Sequence, residues 1–208
     1  MISAQAAFDR LRDGNRRFVE SIGRREAPRN LAQGIELVME QMPSAIVLGC
    51  SDSRVPAEIV FDQTLGDLFM IRVAGNIVAP SQVGSVEFAA SRFNTRLVVV
   101  LGHSQCGAIQ ATIEELLRPA ANQSINLRSI VERVRPSVEG LLRTDLRRDM
   151  VELTRQAVRL NVEFSVSHLR HGSELLEELI RKQGLRVVGA EYSLETGVVE
   201  FFDGADLD

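Results

Sequence analysis

The sequence predicts an α/β fold: a single domain in which helices flank a central, mostly parallel β-sheet. Short runs of apolar, largely β-branched residues alternate with longer stretches whose apolar residues recur at helical spacing. The strand-like runs are continuously apolar, as is typical of strands buried on both faces. The 208 residues contain no internal repeat, low-complexity segment or dividing linker, so we assign one domain to residues 1–208.

The N-terminal segment predicts one or two amphipathic helices, because its apolar residues recur at helical spacing among charges. These residues are Ala6, Phe8, Leu11 and Phe18. Residues 23–30 are charged and contain a proline, which favours a loop. A further helix is expected over residues 35–42, ending at Pro43.

Four segments predict strands of the parallel sheet. They are residues 44–49, 68–73, 96–102 and 185–189. The third is the clearest, because it contains three consecutive valines. Residues 189–202 differ, since a turn near Glu195 separates two strand-like runs. This pattern predicts an antiparallel hairpin at one edge of the sheet.

Helical patterns separate and follow these strands. They cover residues 83–92, 108–117, 125–142, 149–168 and 173–183. The last has the clearest ends, because Ser173 begins it with glutamates in the next turn and Gly184 directly follows it.

Composition excludes several classes of function. Asp and Glu number 28 against 24 Lys and Arg, so no basic excess favours a nucleic-acid partner. No apolar run reaches the ~18 residues of a membrane span, and the charged N-terminal segment does not resemble a secretory signal. Two cysteines do not form a disulfide framework, which favours a reducing compartment. We therefore expect a cytoplasmic protein with no membrane or nucleic-acid partner.

Side chains that bind metals follow two of the predicted strands. Cys50 and Asp52 follow the first, and His103 and Cys106 follow the third. Ligands of open α/β sheets bind beyond the carboxyl ends of the strands, so neighbouring strands would bring these residues together. Two thiolates and an imidazole suit tetrahedral zinc. The carboxylate would be a displaceable fourth ligand, as in an open catalytic site.

Each of these residues alone has a more ordinary interpretation. A cysteine at a strand end is often a small buried apolar residue, and His103 can be a hydrogen-bonded core histidine. Asp52 can cap the next helix, and Arg54 can be a solvated charge. A redox pair of Cys50 and Cys106 is disfavoured because they do not form Cys-x-x-Cys. The metal interpretation is favoured because both cysteines and one of three histidines directly follow two separate strands.

The same residues resemble the motifs of a known family. CSDSRV at 50–55 and GHSQCG at 102–107 are similar, in sequence and separation, to the two zinc motifs of the β-class carbonic anhydrases. LFMIRVAGN at 68–76, GAEYSLETGVVEFF at 189–202 and LRDGNRRFV at 11–19 resemble further segments of bacterial members. The resemblance covers most of the chain and is weakest over residues 119–160.

The resemblance implies a zinc lyase that reversibly hydrates CO2 to bicarbonate and a proton through a zinc-bound hydroxide. By position, Cys50, His103 and Cys106 would be the permanent ligands of one Zn²⁺ per chain. Asp52 would either occupy the fourth position or leave it to water and pair with Arg54. These two residues would form the catalytic pair that gates the metal and orients the hydroxide.

The resemblance also implies four substrate-binding residues. The Gln41 amide would donate to a bicarbonate oxygen, and the backbone N–H of Gly107 at a helix start would bind the same oxygens. Phe69 and Ala74 would line an apolar pocket for the gas. Their ordinary alternatives are a solvated helix-end glutamine and two core residues.

The family's assembly implies a homodimer, or alternatively a dimer of dimers, to which the N-terminal helices of about residues 1–42 contribute. The chain departs from some members at Val47, where a tryptophan forms part of a non-catalytic bicarbonate pocket. Arg72 and Tyr192 match the other two residues of that pocket. Without the tryptophan, regulation by bicarbonate at that pocket is not expected.

Two other functions fit the same motifs. A zinc hydroxide on this scaffold could hydrolyse CS2 or COS, which are linear molecules similar to CO2. The site could instead be a structural or sensory zinc module. Arg54 beside Asp52 argues against a structural site, which has no need to hold a labile carboxylate away from its metal.

Overall fold

The central sheet has five strands in the order β2-β1-β3-β4-β5 in the computed structural model, which describes residues 2–24, 41–119 and 124–206. The strands are β1 (Ala45–Gly49), β2 (Leu68–Arg72), β3 (Leu97–His103), β4 (Arg186–Tyr192) and β5 (Val199–Asp203). The first four are parallel in register, and β5 pairs antiparallel with β4. The predicted α/β class, with a mostly parallel sheet and one antiparallel edge, is confirmed.

Helices cover both faces of the sheet. Within the described residues they are α1 (Ala4–Arg24), α2 (Ala57–Val60), α3 (Pro80–Arg92), α4 (Gly107–Leu117), α5 (Ile125–Glu139), α6 (Met150–His171) and α7 (Glu174–Gln183). The N-terminal segment is one helix, and the helix expected over residues 35–42 falls largely outside the described residues. No helix in the described part of the chain combines the length and apolarity needed to cross a bilayer.

The two faces of the sheet explain why its strands are continuously apolar. Along β3, Val99 and Leu101 join the core formed with α1 and α2. Val98 and Val100 point the other way, into the core formed with α3, α6 and α7. Because both faces are covered, no position of β3 is left for a polar residue facing solvent.

Two glycines allow α6 to lie close against the sheet. A Cβ on Gly102 would be 2.6 Å from Val162 Cγ2, and one on Gly189 would be 2.9 Å from Val162 Cγ1. Strand β4 runs through Gly189 to Tyr192, so the predicted strand of residues 185–189 and the first strand-like run of residues 189–202 form one continuous strand. The glycine serves close packing there.

The helix predicted over residues 125–142 is shorter in the structure. Helix α5 ends at Glu139, and two 3₁₀ turns (Leu141–Arg143 and Asp145–Arg148) lead into α6. Asp149 caps α6, its carboxylate accepting a hydrogen bond from the backbone N–H of Glu152 at 3.1 Å. The signals predicted for α7 are present, since Ser173 caps its start and Gly184 adopts a left-handed conformation after its end.

Candidate metal centre

The two sequence motifs meet at the carboxyl edge of the sheet. Strands β1 and β3 are parallel neighbours with Gly49 opposite Leu101, so the residues that follow them lie side by side. Cys50 follows β1, His103 ends β3, and Cys106 is the N-cap residue of α4. All three are buried, and their ligand atoms lie within 4.8 Å of one another. The structure thus brings together three of the four expected metal-binding residues.

The imidazole of His103 has one nitrogen free to bind a metal. Its Nδ1 lies 2.8 Å from the backbone carbonyl of Ser104, which can only accept, so Nδ1 carries the proton. Its Nε2 is buried and has no hydrogen-bond partner within the described residues. A buried nitrogen lone pair without a donor is costly in an apolar interior, and a metal ion would satisfy it.

The two thiols share one proton between them. A hydrogen bond from Cys106 lowers the pKa of the Cys50 thiol, against the opposing effect of burial. Cys106 keeps its proton, since donating to Cys50 and burial both raise its pKa. A divalent cation binds thiolates and would displace this remaining proton. Sulfur, sulfur and imidazole nitrogen form a donor set that fits zinc.

Asp52 borders the cluster and is held by Arg54. The guanidinium donates through Nε to Oδ1 at 2.9 Å and through Nη2 to Oδ2 at 2.7 Å, and the Arg54 backbone N–H donates to Oδ1 at 2.9 Å. These bonds hold the pKa of the carboxyl well below its usual range. Asp52 Oδ2 is 3.9 Å from His103 Nε2. Asp52 does not cap the next helix, because α2 follows Pro56 without a side-chain cap.

Arg72 supports this loop in a way that the sequence did not indicate. Its Nε donates to the carbonyl of Cys50 at 3.1 Å, and its Nη2 donates to the carbonyl of Asp52 at 2.6 Å. The sequence suggested only a place in a bicarbonate pocket. Arg72 ends β2 and lies opposite Gly49 in the register of the sheet. This position brings its guanidinium to the carbonyls of Cys50 and Asp52.

A second supporting residue is Glu195, in the turn of the β4–β5 hairpin. Its carboxylate accepts from Ser104 Oγ at 2.7 Å and from Gln105 Nε2 at 2.6 Å. These two hydrogen bonds lower the pKa of Glu195 to about 2. Gln105 has a φ of +55°, a left-handed conformation unusual for a side-chain-bearing residue, and Glu195 helps to hold it there. The hairpin thereby fixes the loop between His103 and Cys106.

The four expected substrate-binding residues lie in two places. Gly107 is the first residue of α4, directly after Cys106, and Ala74 begins the 3₁₀ turn (Ala74–Asn76) that follows β2. Gln41 lies before β1, at the opposite end of that strand from Cys50, and is exposed. Phe69 stacks in an aromatic cluster with Phe88 and Phe93. Gln41 borders the same two aromatic residues. The structure does not bring Gln41 to the metal cluster of its own chain.

Val47 and Tyr192, two positions of the bicarbonate pocket found in some family members, both belong to the core on the α1 side. Val47 lies in the middle of β1, opposite Met70 and Val99, and is completely buried. The isopropyl side chain of Val47 therefore packs in the apolar core.

Comparison with known proteins identifies the family. The carbonic anhydrase family model matches residues 45–199. A carbonic anhydrase of Mycolicibacterium smegmatis is 39% identical over 204 residues, covering 94% of this chain and 91% of that protein. Carbonic anhydrase 2 of Mycobacterium tuberculosis is 38% identical over 196 residues, covering 92% and 89%.

Solved structures agree in fold. Tetrameric β-carbonic anhydrases of Sordaria macrospora include a chain with a TM-score of 0.73 at 23% identity, covering 88% of this chain and 92% of that one. A Coccomyxa β-carbonic anhydrase in complex with acetazolamide has a TM-score of 0.70 at 23% identity, covering 91% and 83%. The resemblance drawn from the two motifs is confirmed: the chain belongs to the carbonic anhydrase family and has the fold of its β class.

Proposed function

We propose that this chain is a carbonic anhydrase that binds one Zn²⁺ through Cys50, His103 and Cys106 and reversibly hydrates CO2 to bicarbonate and a proton. Hydration of CO2 is the reaction of the family to which the chain belongs. The observation that carries the proposal is the buried, unpartnered Nε2 of His103 within 4.8 Å of two buried thiols. Three such donors leave one of four tetrahedral positions open, which is the arrangement of a catalytic zinc site.

A bound zinc ion supplies a Lewis acid that makes hydroxide available near neutral pH. The chain's own contribution begins with Asp52, whose ionised carboxylate would accept a hydrogen bond from the attacking water and so orient the lone pair of its oxygen. Arg54 keeps this carboxylate ionised and turned away from the metal through two charge-assisted hydrogen bonds. If those bonds break, Asp52 can become a fourth ligand and close the site, so the pair acts as a gate.

Substrate binding is assigned to Gly107 and Ala74 in the same subunit. The Gly107 N–H is at the start of the eleven-residue helix α4, where the helix dipole favours a bicarbonate oxygen. Ala74 contributes an apolar methyl group beside the turn that contacts Cys50. A linear, uncharged gas needs little more than apolar walls and one oriented donor.

Gln41 and Phe69 can contact substrate only if a second copy of the chain carries them to the site. We therefore propose a homodimer, with a dimer of dimers as the alternative assembly, in which the single domain of residues 1–208 uses its N-terminal segment of about residues 1–42 at the interface. Phe88, beside Gln41, is 53% exposed, so its ring is available for contact with a second subunit. The two free thiols support a cytoplasmic, reducing location. We propose no nucleic-acid or membrane partner.

Stopped-flow CO2 hydration by purified protein, with zinc measured on the same sample, tests the proposal. We expect activity from protein containing one zinc per chain, and Cys106→Ser to lose both zinc and activity. Asp52→Asn is the matched variant, because it changes a residue beside the cluster and should lower turnover while zinc is retained. Zinc-loaded wild-type protein inactive across neutral and alkaline pH, or full zinc content in Cys106→Ser, would refute the proposal.

A further inference from the structure

We infer that Asn161, in α6, is a positioning residue of the metal centre, which holds the backbone N–H of Gly75 against the sulfur of Cys50. The inference rests on the proposed function, since it concerns how a metal-bound thiolate would be tuned. The side-chain amide of Asn161 donates to the Gly75 carbonyl and not to a metal ligand. It acts through the 3₁₀ turn (Ala74–Asn76), which connects Asn161 to Cys50 through hydrogen bonds of Gly75.

The Gly75 N–H donates a hydrogen bond to Cys50 Sγ at 3.3 Å. The turn that carries this N–H is conformationally demanding, because Gly75 has a φ of +70°. A Cβ at this position would also lie 3.0 Å from the Cβ of Ala108. Only glycine fits comfortably, and glycine gives the turn little stiffness of its own. Something outside the turn must therefore fix the direction of the N–H.

Helix α6 supplies that support at two successive residues of the turn. Asn161 Nδ2 donates to the carbonyl of Gly75 at 2.8 Å, and Ser165 Oγ donates to the carbonyl of Asn76 at 3.2 Å. Asn161 and Ser165 are four residues apart and so share one face of the helix. Asn161 is only 2% exposed, which makes its hydrogen bond shielded from water.

The platform behind these donors is rigid. Val162, next to Asn161, packs where Gly102 and Gly189 let α6 approach β3 and β4 closely. The strand β3 also ends in the ligand His103. The distance between the ligand-bearing strand and the two donors is thus set by tight core packing, which resists adjustment.

A hydrogen bond to a metal-bound thiolate withdraws negative charge from its sulfur. Without it, the sulfur donates more charge to the metal and a thiolate-to-metal electronic transition moves to lower energy. This gives a readout independent of turnover. Releasing the Gly75 carbonyl should loosen the turn, weaken the N–H···S hydrogen bond and shift the transition.

Cobalt-substituted protein tests this directly, because Co²⁺ in a two-thiolate site has thiolate-to-cobalt bands in the near ultraviolet. We expect these bands to move to lower energy in Asn161→Leu, which preserves size but removes the donor. Ser165→Ala should cause a smaller shift in the same direction, and it stands in if Asn161→Leu does not fold. Thr95→Val is the matched control: it also removes a buried side-chain hydrogen bond to a backbone carbonyl (Thr95 Oγ1 to Pro43, 2.9 Å), but before β3 begins.

The outcomes separate the inference from the function beneath it. The positioning role of Asn161 would be overturned, with the metal site left standing, by either of two results. One is that the cobalt bands of Asn161→Leu and Ser165→Ala coincide with those of the wild type. The other is that Thr95→Val shifts the bands equally. Wild-type protein that binds no cobalt, or binds it without thiolate bands, would instead overturn the proposed metal site. A shift in the two α6 variants with an unchanged Thr95→Val spectrum supports the inference.

Discussion

Replacing Gly102 by alanine should disturb the packing between α6 and the strand that carries His103. The new Cβ would lie 2.6 Å from Val162 Cγ2 and 3.4 Å from Val158 Cγ1. Apolar carbons prefer separations of about 3.5–4.0 Å, so α6 or Val162 must move by about 1 Å. Overpacking of this kind lowers the free energy of unfolding by about 1–3 kcal/mol, and we take about 2 kcal/mol.

The double variant with Val162→Ala makes the test specific. Val162→Ala alone removes two buried methyl groups, at about 0.8 kcal/mol each plus a cavity term, and should cost about 2 kcal/mol. Independent effects would sum to about 4 kcal/mol, but the alanine at Gly102 occupies the space that Val162→Ala vacates. We therefore expect the double variant to lose only about 2 kcal/mol, a coupling of about 2 kcal/mol.

Urea unfolding of the wild type, the two single variants and the double variant, at equal protein and zinc concentrations, measures these free energies of unfolding. Gly84→Ala is the control, because Gly84 lies in α3 with nothing within 4 Å of an added Cβ. It should leave stability unchanged or raise it by about 0.5–1 kcal/mol. The packing argument is refuted if Gly102→Ala costs no more than Gly84→Ala, or if the double variant shows the full sum.

Two other predictions concern the loops around the metal. The folded-state pKa of Glu195, about 2, lies below the ordinary glutamate value of about 4.3, so its stabilising effect is complete above the ordinary value and is lost as the pH falls toward 2. The difference in unfolding free energy between wild type and Glu195→Gln should therefore shrink as the pH falls from about 5 to 3; a constant difference would show that the ionised form is not what Ser104 and Gln105 bind. Arg54→Gln should free Asp52 and lower kcat/KM for CO2 hydration about 10–100-fold with zinc content unchanged, and unaltered kinetics would remove Arg54 from the gate.

The parallel part of the sheet could be predicted from the sequence because burial on both faces leaves a local trace. The run around Val98 to Leu101 is apolar at every position, as is typical of a short strand buried on both faces. The ligand motifs were equally local, since Cys50 and His103 directly follow such runs. The sequence divided β4 at Gly189 into two strand-like runs, because it does not show that this glycine makes room for Val162 within one continuous strand.

The supporting residues could not be predicted, because their partners are distant in sequence. Asn161 contacts a carbonyl 86 residues away, and Gln105 contacts a carboxylate 90 residues away. Nothing in the neighbourhood of Asn161 distinguishes it from a polar residue on a solvated helix face. Its role depends on which turn of α6 lies above which strand, and that is settled by the close approach of helix and sheet.

The strand order of the sheet also determines when the metal ligands can be secured during synthesis. Once Cys106 has been translated, the other two ligands, Cys50 and His103, are already part of the chain. Strand β3, which ends in His103, lies between β1 and β4 in the sheet, and β4 has not yet been made. Strand β4 begins 80 residues after Cys106, and Glu195 follows 89 residues after it. A nascent chain that has all three ligands therefore lacks one side of their central strand. The full packing around the ligands therefore depends on β4 and the Glu195 turn, which are synthesised after all three ligands.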